Sequence, residues 1–496
     1  MTSQDPAPQP RGRRRRAVRW RGDTPTGPLP MGEVLRRTPY RDPRVSRTVR
    51  EEREAVAALD LALGVGETLV RCGAGAAQVE SSIVAVLVAA GLADFDIDIT
   101  LQSVIIQCRT PNGAWVTRLR VVRDQRRDFA RLALVHELVD DLVSGRIDLA
   151  TAGVRAARIA STPRTWSSWV VALASGALAA GVAMMLGAGA VGAGIALISA
   201  LAVERFSSTL AGERVPDFYR SAAGGFLATL LAWTAYALGY AGWLAVSPAD
   251  YAAIMAGGIV ALLPARSIAS AMEDVVMGYP VTGTSRIFAV LFHLLGLILG
   301  VAAGLAAVVA VADLTGLGVS APSLARISSA TAPLPVVLLG AAIVGLCGAV
   351  SMQSRRRFLL PSAALTATGV MVAWSLGQVA TVGRITAVGV AATLLGFLAR
   401  IVALRMRAPA IVLAVPASFG LLPGLAIFVG LYRLMVPAGD AQTDLDIQVG
   451  MQALASALGV LVAIATGTTL GDILAAPLDR GALSRRRGAV RGPGET

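Results

Sequence analysis

Glu273 and Asp274, side by side in an otherwise apolar stretch, are the residues of this chain best suited by type and spacing to do chemistry. A carboxylate held among apolar residues can receive an ammonium group or carry a coupled proton. Both lie in GIVALLPARSIASAMEDVVMGYPVTGTSR, Gly258 to Arg286, and follow Pro264 by about three helical turns. Arg286, which ends this stretch, and Arg400, at the border of a later apolar run, could each pair with a substrate carboxylate. His293 is a lone imidazole inside the next apolar run and suits either a packed, hydrogen-bonded role or a proton relay. Plainer roles stand beside these: loop charges for the two carboxylates, snorkelling to headgroups for the arginines, and a cap or interfacial charge for Asp472.

A broken helix has to position these groups. Proline removes a backbone donor and clashes with the preceding turn, and at membrane depth such a break survives where the freed backbone faces protein or water. The second half of the chain repeats the device: Leu421, Leu422, Pro423 and Gly424 echo Leu262, Leu263, Pro264 and Ala265, with Pro248 and Pro409 upstream. Paired interruptions in two halves point to a transporter's substrate site, against the alternative of two packing kinks. The breaks are expected to meet near the bilayer midplane, with half-helix N-termini suited to a substrate carboxylate. Because Gly424 can adopt backbone angles denied to Ala265, the second break is expected to be the wider and the closer to substrate.

Composition fixes the class. Of 496 residues 55% are hydrophobic, and mean hydropathy is +0.64, far above a soluble protein. All 45 basic Lys+Arg positions are arginine, a codon bias resembling that of a high-GC bacterial genome. Without lysine there is no Walker A loop and no pyridoxal Schiff base, so coupling must come from a gradient, and no cofactor is expected. Cys72, Cys108 and Cys347 with His136 and His293 build neither a disulfide framework nor a zinc site, and His136-Glu137 lacks the second histidine of a metalloprotease motif. The net charge of +13 sits in tails and loops, where it reports membrane orientation rather than nucleic-acid binding.

Residues 1–50 read as a disordered Arg/Pro-rich tail, including Arg13 to Arg16, with no apolar core after it to make a signal peptide. Residues 51–165 read as a cytoplasmic α+β domain of order ααβββαα: helices from Glu51 and Ala76, a strand at Phe95 to Thr100, a hairpin closed at Thr110-Pro111-Asn112-Gly113, and helices from Asp128 and Asp148. Glu80 lies on the second of these helices. From Trp169 onward about ten apolar runs approach the roughly 20 residues a bilayer requires. They form a first five-helix repeat at 166–315 and a second at 333–475, and a basic tail at 476–496 is expected to be disordered. Arginines at 205, 214, 220, 266, 286, 355–357, 405, 407, 480 and 485–487 fall on one side, against Arg326, Arg384 and Arg433 on the other. The positive-inside rule then places both termini in the cytoplasm. Five spans per half is odd, so the halves are expected to be inverted repeats. Gly296, Gly300 and Gly304, like Gly467 and Gly471, have the small-xxx-small spacing of closely packed helices.

The chain resembles the threonine/serine exporter family over roughly residues 55 to 475. The motifs are GETLVRCGAGAAQVESSI (Gly66 to Ile83), LVSGRID (Leu142 to Asp148), RVPDFYRSAAGGFLATLLA (Arg214 to Ala232), the Gly258 to Arg286 stretch and VPASFGLLPGLAIF (Val415 to Phe428). Where the family's first motif usually reads Leu-Pro-Gly this chain has Ala265, so that turn is expected to be more helical. The resemblance implies export of threonine, serine or similar small amino acids across a bacterial cytoplasmic membrane, driven by the proton gradient. The partners it implies are a small amino acid, protons and the lipid bilayer, and a homo-oligomer is compatible with it. Two other classes compete: an enzyme anchored by its spans, for which residues 51–160 lack a nucleophile, base and orienter set, and a passive channel or sensor.

Overall fold

A computed structural model describes residues 52–110, 113–122, 128–315, 332–379, 381–435 and 443–477. Both tails, Pro111-Asn112 of the hairpin turn, Arg326 and the arginines beyond 477 lie outside the described residues.

The N-terminal elements run in the expected order: α1 (Glu52–Arg71), α2 (Ala76–Ala89), β1 (Phe95–Ile99), β2 (Ser103–Arg109), β3 (Trp115–Val121), α3 (Phe129–Val143) and α4 (Leu149–Ser161). Aspartates start the last two, because a carboxylate can accept from the unpaired amides of a first turn. Asp128 accepts from the Arg131 amide and Asp148 from the Thr151 amide, each at 2.9 Å. The strands form an antiparallel sheet of order β1-β2-β3, pairing Ile97 with Ile106 and Ile106 with Arg118. Alternation along β2 buries Val104, Ile106 and Cys108 on one face.

The rest is helical. The first group is α5 (Ser168–Met185), α6 (Ala190–Gly212), α7 (Asp217–Tyr240), the bent pair α8 (Pro248–Leu262) and α9 (Ala265–Val276), and α10 (Pro280–Thr315). The second is α11 (Leu334–Ser351), α12 (Leu359–Gly377), α13 (Arg384–Arg405), the bent pair α14 (Ile411–Ser418) and α15 (Gly424–Met435), and α16 (Thr443–Ala475). Among the described residues eight helices are long and apolar enough to cross a membrane, or ten if each bent pair is one span. The protein is a multi-pass membrane protein.

Within each group the third and fifth elements pack most intimately, α7 on α10 and α13 on α16, and the first packs on the second. Small residues make this contact. A Cβ on Gly225 would come 2.8 Å from the Leu297 carbonyl, and one on Gly467 2.7 Å from the Gly389 carbonyl. Between the groups, α5 crosses α11 with Gly181 and Gly340 facing each other: a Cβ on either would meet the other's carbonyl, at 2.8 and 2.6 Å. The same distance along the chain separates Gly181 from Gly340, Gly300 from Gly459 and Pro264 from Pro423. The apolar interior of the sheet-bearing region is continuous with α5 and α11, through Leu178, Val344 and Phe358.

Candidate functional site

Both apolar runs with an internal Leu-Pro bend where the proline stands, by 53° between α8 and α9 and by 45° between α14 and α15. The bends are similar in size, so the expectation of a wider second break is not met. Gly424 is not among the glycines with positive φ. Glycine is needed there for approach: a Cβ on Gly424 would press on Val260 and lie 2.7 Å from the Ala256 carbonyl. The second break is thus seated against α8, one turn before the first. Ala265 opens α9 directly after Pro264, as Gly424 opens α15 directly after Pro423.

The first break is braced by His293, whose Nε2 lies 3.1 Å from the Leu262 carbonyl, a group the break deprives of its helical donor. The hydrogen-bonded role weighed for this histidine is therefore present. Leu263, Pro264, Arg286 and His293 line a cavity of about 940 Å³ that the sheet-bearing region also walls. On the side of the breaks away from that region, aromatic rings pack in series: Tyr236 on Tyr251 at 5.5 Å, Tyr251 on Phe428 at 5.8 Å, and Phe428 on Tyr432 at 5.5 Å.

Glu273 and Asp274 are not loop charges; both lie within α9. Asp274 is fully buried and engaged twice, with Oδ2 2.9 Å from Arg286 Nη1 and Oδ1 accepting from the Ala76 amide at 2.5 Å. Arg286 also donates to the Ala74 carbonyl at 3.1 Å, and Ser270 to the Gly73 carbonyl at 3.0 Å. A helix N-terminus carries partial positive charge and favours carboxylates, and two of them crowd the start of α2. A Cβ on Gly75 would lie 3.0 Å from Glu273 Oε2 and 3.2 Å from Asp274 Oδ1. Arg286 and Asp274 are thus bonded to the N-terminal region, and Arg286 also lines the cavity at the first break.

The second group is gripped by other residues of the same region. Gln353 bonds the Trp166 backbone on both sides, at 2.8 and 2.9 Å, and the Phe129 amide donates to the Met352 carbonyl at 3.0 Å. Glu137 pairs with Arg355 and Arg357, and Asp140 and Asp141 with Arg407. Partial burial would raise the Asp141 carboxyl, but hydrogen bonds from Arg407, Arg155 and Arg146 outweigh it and bring it to about 2. His136, one helical turn before Asp140, is held down to about 4 by burial, opposed by Asp140 and helped by Arg400 and Arg407. It is neutral at physiological pH. Burial also pushes up the Glu80 carboxyl.

A second cavity, about 480 Å³, lies among α2, α3, α9, α13, α14 and α16. Glu273 lines it from α9, His136 from α3, Arg400 from α13 and Asp472 from α16. Arg400 Nη1 donates to both oxygens of Asp472, at 3.0 and 2.9 Å. Close backbone approach brings them together, since Gly396 faces the Thr468 carbonyl and Gly471 that of Thr393. Sequence reasoning weighed Arg400 and Asp472 separately and missed the pair. The signal was available in the small residues one turn from each. Neither Pro423 nor Gly424 lines either cavity, but their neighbours Leu422 and Ser418 line this one.

Two family descriptions match the chain. One for a threonine/serine exporter, ThrE, covers residues 60–308, and a second, "Threonine/Serine exporter, ThrE", covers residues 337–474. The chain is 29% identical over 425 residues to a Mycobacterium tuberculosis protein named "Probable threonine/serine exporter", covering 86% of this chain and 77% of that one. It is 26% identical over 456 residues to the "Threonine/serine exporter" of Corynebacterium glutamicum, covering 92% and 90%. No solved structure matches.

Proposed function

The chain belongs to the threonine/serine exporter family, and from that premise we propose that it moves threonine, serine or a similar small neutral amino acid out of the cytoplasm by alternating access, driven by the proton gradient. It is an amino-acid exporter and not an enzyme. The observation that carries the proposal is the seating of one proline break against the helix that ends in the other, with Gly424 on Ala256 and Val260. Broken helices at corresponding points of two halves place freed backbone groups where a polar solute can use them.

Inverted repeats at 166–315 and 333–475 are supported by the reciprocal Gly181–Gly340 contact and by the matched packing of third on fifth helices. The arginine-rich loops support cytoplasmic termini and a cytoplasmic domain at 51–165. Both cavities then face the cytoplasm, and the rings from Tyr236 to Tyr432 close the opposite side, an arrangement that loads substrate from within. Pro264, Ala265, Pro423 and Gly424 shape the path. Asp274 and Arg286 control entry through their bonds to the domain, and His293 or Asp274 carries the coupled proton.

The purified full-length chain in liposomes tests this with labelled threonine and serine. An exchanger accumulates label uphill against excess internal unlabelled substrate, whereas a channel only equilibrates it and an enzyme does neither. Absence of uphill accumulation across a substrate panel overturns the proposal, and indifference to an imposed pH gradient removes proton coupling. For orientation, a cysteine placed near Pro248 should react with an impermeant thiol reagent from outside and one near Arg356 should not. The reverse labelling excludes cytoplasmic termini.

A further inference from the structure

A hydroxyl buried in a helix ordinarily finds its partner one turn back, on the helix's own carbonyls. The membrane helices follow that habit closely. Ser221, Thr229, Ser351, Thr366, Ser418 and Thr469 all donate to carbonyls three or four residues earlier. Ser270 and Thr282 donate instead to the Gly73 and Ile99 carbonyls of the N-terminal region. Among the described helices three buried hydroxyls have no recorded partner, those of Ser175, Ser199 and Ser362. Of the three, only Ser175 lines either cavity.

Ser175 stands on α5, is 5% exposed and opens onto the larger cavity. Its helix is held firmly there. A Cβ on the next residue, Gly176, would lie 2.5 Å from the Leu197 carbonyl of α6, and one turn on, the Ala179 carbonyl would lie 2.6 Å from a Cβ on Gly257 of α8. Ala261, Pro264 and Ser267, from both sides of the first break, share the cavity wall with Ser175. The second break reaches the same wall through Val260, on which a Cβ at Gly424 would press. Val171, Ala172 and Leu178 of α5 add apolar surface. Arg131, Arg220 and Arg286, which also line this cavity, are paired with Asp128, Asp217 and Asp274.

Resting on the export reading above, we infer that Ser175 is a specificity-determining residue that reads the side-chain hydroxyl of the transported amino acid. A neutral donor and acceptor set in apolar wall matches a neutral hydroxyl on a short alkyl chain, the part of threonine or serine that sets it apart from other small amino acids. Discrimination follows from burial. Once a solute displaces water from Ser175, a side-chain hydroxyl keeps the serine bonded, whereas a hydrogen or methyl in that place leaves a buried polar group unmatched. An apolar pocket rejects an isostere weakly, and a pocket built to bond a hydroxyl rejects the analogue that lacks it far more strongly. Ser267, in the first turn of α9 and likewise without a recorded hydrogen bond, offers a second hydroxyl from beyond the proline.

The test uses the full-length chain in liposomes and competition against labelled threonine by 2-aminobutyrate, in which hydrogen replaces the hydroxyl, and by valine, in which methyl replaces it. Wild type should prefer threonine over both by about 5- to 100-fold, the scale of leaving one buried hydrogen-bonding group unmatched. Ser175→Ala should bring both ratios close to one. A hydroxyl that serves only water leaves the ratios at their wild-type values, and a purely structural one weakens all three solutes equally; either result overturns the assignment while counterflow keeps the export reading. A wild type that carries threonine without preferring it to 2-aminobutyrate overturns the assignment too. If wild type shows no counterflow, the export reading fails and the assignment with it. Should Ser175→Ala not elute as a folded species, Ser175→Cys decides. The native cysteines Cys72, Cys108 and Cys347 are buried, so a thiol reagent reports on the new position, and threonine should slow its modification more than 2-aminobutyrate does at the same concentration. Equal protection by the two overturns the assignment.

Discussion

Around Pro423 the second helix group keeps Arg400 bonded to Asp472 on an open cavity, with Glu273 lent to it by the first group; around Pro264 the first group keeps a histidine on a backbone carbonyl and an arginine committed to Asp274. The backbone plan is nearly the same in both. Each has five elements, a proline break in the fourth, and its third helix pressed on its fifth through glycines. What differs is where the charges go. Beside the first break Asp274 and Arg286 bond to the N-terminal domain, whereas the second group bonds to that domain through Arg355, Arg357 and Arg407 and keeps Arg400 and Asp472 on a space a solute can occupy.

The widest gap between the two should appear in their ion pairs. Asp274→Asn leaves Arg286 buried without its charge partner and should cost about 3–5 kcal/mol of stability. Asp472→Asn, in a pair whose members are 16% and 30% exposed, should cost far less. Thermal unfolding of both variants checks this, and equal losses would erase the distinction between anchor and site.

Acid should next separate the halves. His136 has an ordinary value of 6.5 and is held to about 4, so the unfolded chain binds the proton more readily. Stability present above pH 6.5 is therefore lost as pH falls from 6.5 to 4. Hydrogen exchange should rise over that window at α3 and at 352–357 before it rises at 73–76. A His136→Gln variant should flatten the change.

Smaller differences are expected at the breaks. Leucine at Gly424 must displace the Ala256 backbone, an overpacking of about 1–3 kcal/mol, and should depress threonine affinity more than Pro264→Ala does. Counterflow titrations rank the two. Smallest is the loss of the brace: His293→Leu removes the hydrogen bond to the Leu262 carbonyl, about 1 kcal/mol, and should lower the melting temperature slightly.

Much of this plan was legible in the chain. Apolar runs of membrane length, the repeated Leu-Leu-Pro and the period changes between Glu52 and Ser161 are local signals, and the helices and strands stand where those signals put them. Glu273 and Asp274 were found for the same reason, as charges out of place. Their division of labour was not legible, because it depends on partners far along the chain: Asp274 is 198 residues from the amide it caps. His136 looked like half of a motif whose other half is missing, and only folding against Arg400 and Asp140 gives it a setting. The expectation for Gly424 failed because it rested on glycine's backbone freedom, whereas the packing uses its lack of a side chain.

The crossing of α5 and α11 has a mechanical meaning. Where Gly181 and Gly340 touch, two bare backbones meet at one point, with Ile343, Val344 and Met185 packed around it, and so narrow a contact is the natural pivot for one helix turning on the other. It lies between the two halves, so a small turn there is magnified towards their ends, as at the hinge of a pair of scissors. The resistance to that turn resides in the clasps at the handles: the Asp274 bond to α2 on one blade, and Gln353, Glu137 and Arg407 on the other. The N-terminal domain, holding both handles, is placed to set how far the blades open.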